Sequence, residues 1–206
     1  MTLDLFATEP TLDRLDIEDA EISIARQVYL GRPAEELLRE LIDETPWRHE
    51  AVTIYGKKHM QPRLIAWYGD RGQRYSYSGI ALEPLPWTTT LTRVRGLVQN
   101  IVDEQFNSVL LNYYRDHQDS MGFHSDDEKE LGPNPVIASV SLGATRTFVL
   151  KHKTRSELKP VRWELPSSSL LLMKGLTQKY WKHGIDKQSK PCGPRVNLTF
   201  RRIVAA

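Results

Sequence analysis

Apolar positions recur along the chain at two different periods, and the change of period divides it. From Pro33 the run Pro-Ala-Glu-Glu-Leu-Leu-Arg-Glu-Leu-Ile puts Leu37, Leu38, Leu41 and Ile42 on one helical stripe, with proline in the first turn where its missing N–H costs nothing. A second helix is predicted from Thr89 to Glu104. Its stripe is Leu91, Val94, Leu97, Val98, Ile101 and Val102, and threonines stand at its start. Beyond Phe106 the period shortens. Ser108–Tyr114, Val136–Ser141, Thr145–His152, Leu170–Met173 and Val196–Val204 read as strands separated by glycine and proline clusters. Helices first and many short strands afterwards predict an α+β fold built on an antiparallel barrel or jelly roll, whose open end can hold a metal and a ligand.

Residues 1–30 are expected to form a weakly ordered N-terminal extension, and 31–206 a single domain. The length of 206 residues suffices for one domain with a substantial core. No apolar stretch approaches the ~20 residues of a membrane span, and Met1 to Ala20 is acidic without the apolar core of a secretory signal. No membrane partner is expected, and the protein is expected to act as a monomer inside the cell, in the cytoplasm if bacterial and the nucleus if eukaryotic. Cys192, the one cysteine, has no internal disulfide partner, consistent with a reducing compartment, and reads as a small turn residue. Charge is uneven. Residues 1–21 hold seven acids against Arg14, a net −6, so the remainder carries +8 to reach the overall +2. A basic body attracts polyanions, nucleic acid first among them, although ordinary surface charge gives the same count.

The chemistry lies in the strand-rich half. His124 and Asp126 are two apart, so in an extended segment both reach one side. With His183 they make two imidazoles and a carboxylate, a set that suits non-haem Fe(II) with positions left open. Each pattern alone is also that of a solvated loop. The last strand adds separate information. Val196, Leu198 and Phe200 face one way, while Arg195, Asn197, Thr199 and Arg201 face the other. That second face is either solvated or lines a polar pocket, where two guanidinium forks suit a dicarboxylate such as a 2-oxo acid. By the same parity Asn112 and Tyr114 share a face of Ser108–Tyr114.

Four separated segments carry a resemblance. Phe106-Asn-Ser-Val-Leu-Leu-Asn-Tyr-Tyr-Arg, Phe123-His-Ser-Asp-Asp-Glu, Ile137-Ala-Ser-Val-Ser-Leu-Gly-Ala-Thr-Arg-Thr-Phe and Arg195-Val-Asn-Leu-Thr-Phe-Arg resemble, in order, the AlkB family, Fe(II)- and 2-oxoglutarate-dependent dioxygenases that remove alkyl groups from nucleic-acid bases. The likeness covers about residues 47–204 and is closest to the branch of the second and third human homologues. It implies a double-stranded β-helix (jelly-roll) core, with the N-terminal helices packed on one sheet and a nucleotide-recognition lid at about 50–80. It implies that His124, Asp126 and His183 hold Fe(II). Asn112, Tyr114, Arg195, Asn197 and Arg201 would bind 2-oxoglutarate, with Arg195 and Tyr114 at the distal carboxylate and Arg201 and Asn112 towards the metal.

The implied activity is oxidative demethylation of 1-methyladenine and 3-methylcytosine, with DNA, single- or double-stranded, as the first substrate and RNA as the second. Formaldehyde, succinate and carbon dioxide are the products. Methylation at those nitrogens fixes a positive charge on the base, so Asp127 and Glu128 beside the metal pair are expected at the pocket wall. Their bland alternative is a solvated acidic turn. The methyl lies on the pairing edge, so the base has to leave the stack. By the same resemblance Tyr77 stacks on the flipped base, Tyr75 and Ser78 line its pocket, and Tyr55 is a finger that can wedge into a duplex. Each tyrosine also suits a half-buried hairpin. Lys151, Lys153, Arg155, Lys159 and Arg162, opposed by Glu157, form a basic run that suits phosphates or a solvated loop equally. Arg146 lies in a matching segment without an assigned role. Two other readings stay open: an oxygenase acting on RNA or a protein side chain, and a module that binds damaged bases without catalysis.

Overall fold

The computed structural model describes residues 10–54, 57–72, 75–77, 80–82 and 84–204, with backbone alone for 52–54, 57, 75–77 and 80–82. Its frame is two antiparallel sheets facing each other. The larger runs β1 (Asp13–Leu15), β2 (Glu21–Ala25), β13 (Leu170–Lys174), β10 (Ile137–Gly143), β15 (Arg195–Arg201), β8 (Ser108–Tyr114) and β5 (Leu64–Gly69). The smaller runs β12 (Val161–Leu165), β11 (Arg146–His152), β14 (Trp181–Ile185) and β9 (Met121–His124). Two hairpins, β3 (Ala51–Ile54) with β4 (Lys57–Met60) and β6 (Tyr75–Tyr77) with β7 (Ile80–Leu82), occupy the region expected to form a lid. The α+β jelly-roll expectation holds. No described helix is long and apolar enough to cross a membrane.

Period-two alternation splits the apolar residues into two cores. Val109, Leu111, Ala138, Val140, Leu198 and Phe200 point outwards to α1 (Ala34–Glu44) and α2 (Thr89–Val102), which bring Leu37, Leu41, Leu91, Val94 and Val98. Leu110, Ile137, Leu171 and Met173 point inwards and meet Phe148, Leu150, Trp181 and Ile185 of the smaller sheet. Both helices close where local chemistry requires. Pro33 caps α1 with φ −55°, and the Thr88 side chain accepts the Leu91 N–H at 3.1 Å to start α2. α2 ends at Val102, before Glu104, because Asp103 turns left-handed with φ 53°. The last strand likewise ends at Arg201. Ile203 and Val204 leave the sheet, their N–H groups donating to Asn107 Oδ1 and Glu130 O at 2.7 and 2.8 Å.

The N-terminal expectation needs correction. Residues 10–30 are not a loose extension, for β2 pairs with β13 along Glu21–Ala25 and β1 with β2. The reason is alternation inside an acidic stretch. Ile22 and Ile24 bury into the core between the sheets, while the acids gather at the turn. There Glu18 and Asp19 meet Arg155, and Glu18 O accepts the Trp181 indole N–H at 2.9 Å.

Candidate functional site

The polar faces of the two sheets enclose one cavity. All seven residues of β15 are buried, so the face carrying Arg195, Asn197, Thr199 and Arg201 lines a pocket and is not solvated. His183 comes from β14 and His124 from the end of β9. Their meeting depends on a bulge. His183 pairs with His124 and Ile185 with Met121, so three steps along β9 match two along β14. The extra residue lets Met121 and His124 both face inwards. Gly184 makes room for it, since a Cβ there would lie 2.9 Å from the Met121 carbonyl.

Beyond the strand the chain brings Asp126 beneath the rings. One donor atom each from His124, Asp126 and His183 lies within 4.8 Å of the others. His124 Nε2 is 3.9 Å from Asp126 Oδ1 and His183 Nε2 is 3.8 Å from Oδ2. A divalent ion held by all three would draw these donors closer together. The donors are in the right chemical state. His124 Nδ1 lies 2.9 Å from the Gly122 carbonyl, which places the proton there and leaves Nε2 with its lone pair. Burial pushes the His124 imidazole below its ordinary value, and burial with the neighbouring His124 takes His183 down to about 3. His183 stacks on Phe148 at 5.3 Å. Burial would raise the Asp126 carboxyl, but Arg201 and then the two histidines outweigh it and hold it below the carboxylate range. Arg201 Nη2 donates to Oδ1 at 2.6 Å, and Oδ2 is buried without a hydrogen-bond partner. The residues therefore fit a divalent metal.

Arg195 stands at the far end of the same face. It is 2% exposed, and its Nη2 donates to Ser141 Oγ at 2.9 Å. The Arg195 guanidinium carbon sits 5.0 Å from the Tyr114 ring centre. Nε and Nη1 are buried with no hydrogen-bond partner, an arrangement suited to an anion that brings its own oxygens. Asn112 lies on the face of Tyr114. Its Oδ1 accepts from Arg63 Nε at 2.7 Å and its Nδ2 is left buried and unbonded. Asn197 differs. Nδ2 donates to Ser139 Oγ and Val140 O at 2.8 and 2.9 Å, and Oδ1 accepts from Thr199, so its donors are spent within the sheet.

The residues expected around the base are less well gathered. Tyr55 and Ser78 lie outside the described residues, and Tyr75 and Tyr77 are described only as backbone of β6. Asp127 is exposed and pairs with Lys153 at 2.9 Å, and Glu128 precedes the short turn Lys129–Leu131. Neither lines the cavity between the sheets. The basic run is also largely engaged. Arg155 contacts Glu18, Asp19 and Glu157, Arg162 lies 3.7 Å from Asp186, and Lys151 rests 3.7 Å above the Phe123 ring. Three further residues support the site, none of them assigned a role from spacing or motif. Gln178 accepts the Asp126 backbone N–H at 2.9 Å from a four-residue helix, α3 (Thr177–Tyr180). Arg63 is buried, and its charge acts on His124. Arg146 is buried, its guanidinium carbon 5.5 Å from the Tyr114 ring centre.

Comparison with known proteins gives a consistent result. Residues 23–201 match the family model described as the 2OG-Fe(II) oxygenase superfamily. DNA oxidative demethylase ALKBH2 of Homo sapiens is 43% identical over 180 residues, covering 83% of this chain and 69% of that one. Alpha-ketoglutarate-dependent dioxygenase alkB homolog 3 of Mus musculus is 40% identical over 180 residues, covering 84% of this chain and 62% of that one. The solved structure of OsALKBH1 aligns with a TM-score of 0.61 at 14% identity, covering 93% of this chain and 100% of that one, which supports the fold.

Proposed function

Because the chain belongs to the 2OG-Fe(II) oxygenase superfamily, and within it to the AlkB-family dioxygenases, we propose that it repairs alkylated DNA by oxidative demethylation of bases. The observation that carries this reading is the triad of His124, Asp126 and His183 at one end of a cavity whose other end is a buried, half-satisfied Arg195. Iron(II) and 2-oxoglutarate are the cofactor and co-substrate, and with dioxygen they supply the oxidation that turns an N-methyl group into formaldehyde, leaving succinate and carbon dioxide.

We assign the iron to His124, Asp126 and His183. Arg201 fixes the Asp126 carboxylate through Oδ1, leaving Oδ2 for the metal. Arg195 and Tyr114 receive the distal carboxylate of 2-oxoglutarate, and Asn112 offers its unbonded Nδ2 nearer the metal. Asn197 braces β15 against β10 and does not donate to the co-substrate. Its spent amide supports that narrower role. Phe148, Met173 and Ile185 exclude water around the donors.

The favoured lesions are 1-methyladenine and 3-methylcytosine, whose fixed positive charge suits Asp127 and Glu128 as base contacts. Tyr77 and Tyr75, with Ser78, would hold the flipped base, and Tyr55 would fill the gap it leaves. Asp127 would have to exchange Lys153 for the base, which the exposure of that pair permits. RNA is the second substrate in this reading, the working unit is a monomer, and the protein acts where nucleic acid is kept, inside the cell. The test is incubation with Fe(II), ascorbate, 2-oxoglutarate and oligonucleotides bearing either lesion, single- and double-stranded side by side, followed by mass spectrometry. Loss of the methyl mass, absent in His124→Ala, is expected. Consumption of 2-oxoglutarate with every methyl retained would redirect the enzyme to RNA or protein.

A further inference from the structure

Arg146, the first residue of β11, is 1% exposed, and its guanidinium bonds only to neutral groups. Nη1 donates to Asp116 O at 3.2 Å, and Nη2 to Asp119 O and Asp186 O at 2.8 and 2.7 Å. It thereby ties the β8–β9 loop to the end of β14. The Tyr114 ring lies near both arginines, its centre 5.5 Å from the Arg146 guanidinium carbon and 5.0 Å from that of Arg195. Burial lowers the proton affinity of Arg195, and the charge of Arg146 adds to that effect. The carboxylate that Arg146 acts on is the buried Asp119, which Arg115 holds through its backbone N–H, Nε and Nη2 at 2.9, 2.8 and 2.8 Å, and Asp119 is not among the charges acting on Arg195. Two buried cations thus share a neighbourhood whose carboxylate is already matched by a third. Buried charge of one sign is costly unless something compensates it.

We propose that Arg146 is a positioning residue that makes the Tyr114–Arg195 end of the cavity selective for a 2-oxo acid carrying a second carboxylate. The inference rests on the reading that Arg195 receives that carboxylate. Arg146 does not touch the co-substrate. It holds Tyr114 from behind and adds positive potential, which a distal carboxylate feels and a distal methyl does not. At an effective dielectric near 20 and a separation of ~10 Å, one such charge is worth about tenfold in affinity.

The test is anaerobic titration calorimetry of the Fe(II)-loaded protein with 2-oxoglutarate and with 2-oxopentanoate, which has the same five carbons and a methyl in place of the distal carboxylate. Arg146→Gln is expected to raise the Kd of 2-oxoglutarate about tenfold and leave that of 2-oxopentanoate within about twofold. Arg146→Lys keeps the charge but not the three-carbonyl fork, so it keeps the preference while lowering Tm, and it carries the test where glutamine does not fold. Equal weakening of both acids in Arg146→Gln, or loss of the preference in Arg146→Lys, overturns the proposal. Arg195→Gln separates the two levels. If it weakens 2-oxoglutarate while Arg146→Gln does not, the inference fails alone; if it has no effect, the carboxylate assignment fails and the inference with it.

Discussion

Metal binding should release fewer protons in mild acid than two exposed histidines would. An imidazole has to be neutral to bind a metal, and a histidine of ordinary pKa near 6.5 is roughly three-quarters protonated at about pH 6. Two such ligands would release about 1.5 protons on binding. In this site His183 is held neutral down to about 3, chiefly by burial and then by His124. His124 is lowered by burial, and its Nδ1–H···O=C bond to Gly122 already selects the metal-binding tautomer. Asp126 is lowered as well, so it is ionised throughout this range. The assay is calorimetric titration of the metal-free protein with Mn(II) in buffers of different ionisation enthalpy, repeated from about pH 7 to pH 5.5. The slope of apparent enthalpy against buffer enthalpy gives the protons released. A value well below about 1.5 is expected at about pH 6, with a correspondingly shallow fall in affinity. Release near 1.5 at about pH 6 would mean that the histidines titrate as exposed groups, and the buried geometry would be wrong. The sign for folding follows from the same shifts. Below pH 6.5 the unfolded chain takes up protons that the folded chain refuses, so the metal-free fold loses stability as pH falls towards 3.

Arg201→Met should cost the metal-free protein about 3–5 kcal/mol in denaturant unfolding, because it leaves the buried Asp126 charge without its partner. Mn(II) should recover part of this, and a loss under about 1 kcal/mol would show that the pair is not holding the carboxylate. Gly184→Ala drives a Cβ to 2.9 Å from the Met121 carbonyl, so it should cost about 1–3 kcal/mol and weaken Mn(II) binding by displacing the bulge under His124. Unchanged metal affinity in a stable variant would dissociate bulge and site. Lys151→Gln should reduce the salt slope of oligonucleotide binding by about 0.9 if its ammonium meets one phosphate. Arg155→Gln should leave the slope alone, since Glu18, Asp19 and Glu157 already surround that guanidinium; an equal drop for both would show that the acids release it.

The parity of β15 was legible because both of its faces carry information, apolar against the helices and polar against the cavity. Counting by twos therefore placed Arg195 and Arg201 together with Asn112 and Tyr114. The same rule could not find the bulge. Met121 and His124 both face inwards at a spacing of three, which in a regular strand would put them on opposite faces. Spacing could not separate an unbonded amide from an engaged one either. Asn112 and Asn197 look alike in sequence, and only the hydrogen bonds show one with a free N–H and the other fully engaged. The acidic N-terminus misled for a similar reason. Composition suggested disorder, but Glu18 and Asp19 sit at a turn facing Arg155, and Ile22 and Ile24 anchor the strand that follows.

Several buried polar atoms without a hydrogen-bond partner gather around the candidate site. Buried polar atoms in folded proteins nearly all find partners, and each one left without costs about 1–3 kcal/mol. Here Asp126 Oδ2, Asn112 Nδ2 and Arg195 Nε and Nη1 are unbonded; Asn112 and Arg195 belong to the inward face of the larger sheet, and Asp126 stands beside the two histidines. Their demands are complementary in kind. A carboxylate oxygen beside two neutral imidazoles lacks a cation, whereas a guanidinium beside a tyrosine and a second buried arginine lacks an anion. A monoanion could answer only the second demand and a bare metal ion only the first. A metal bound together with a dicarboxylate answers both, which is the physical reason for one cavity to join them.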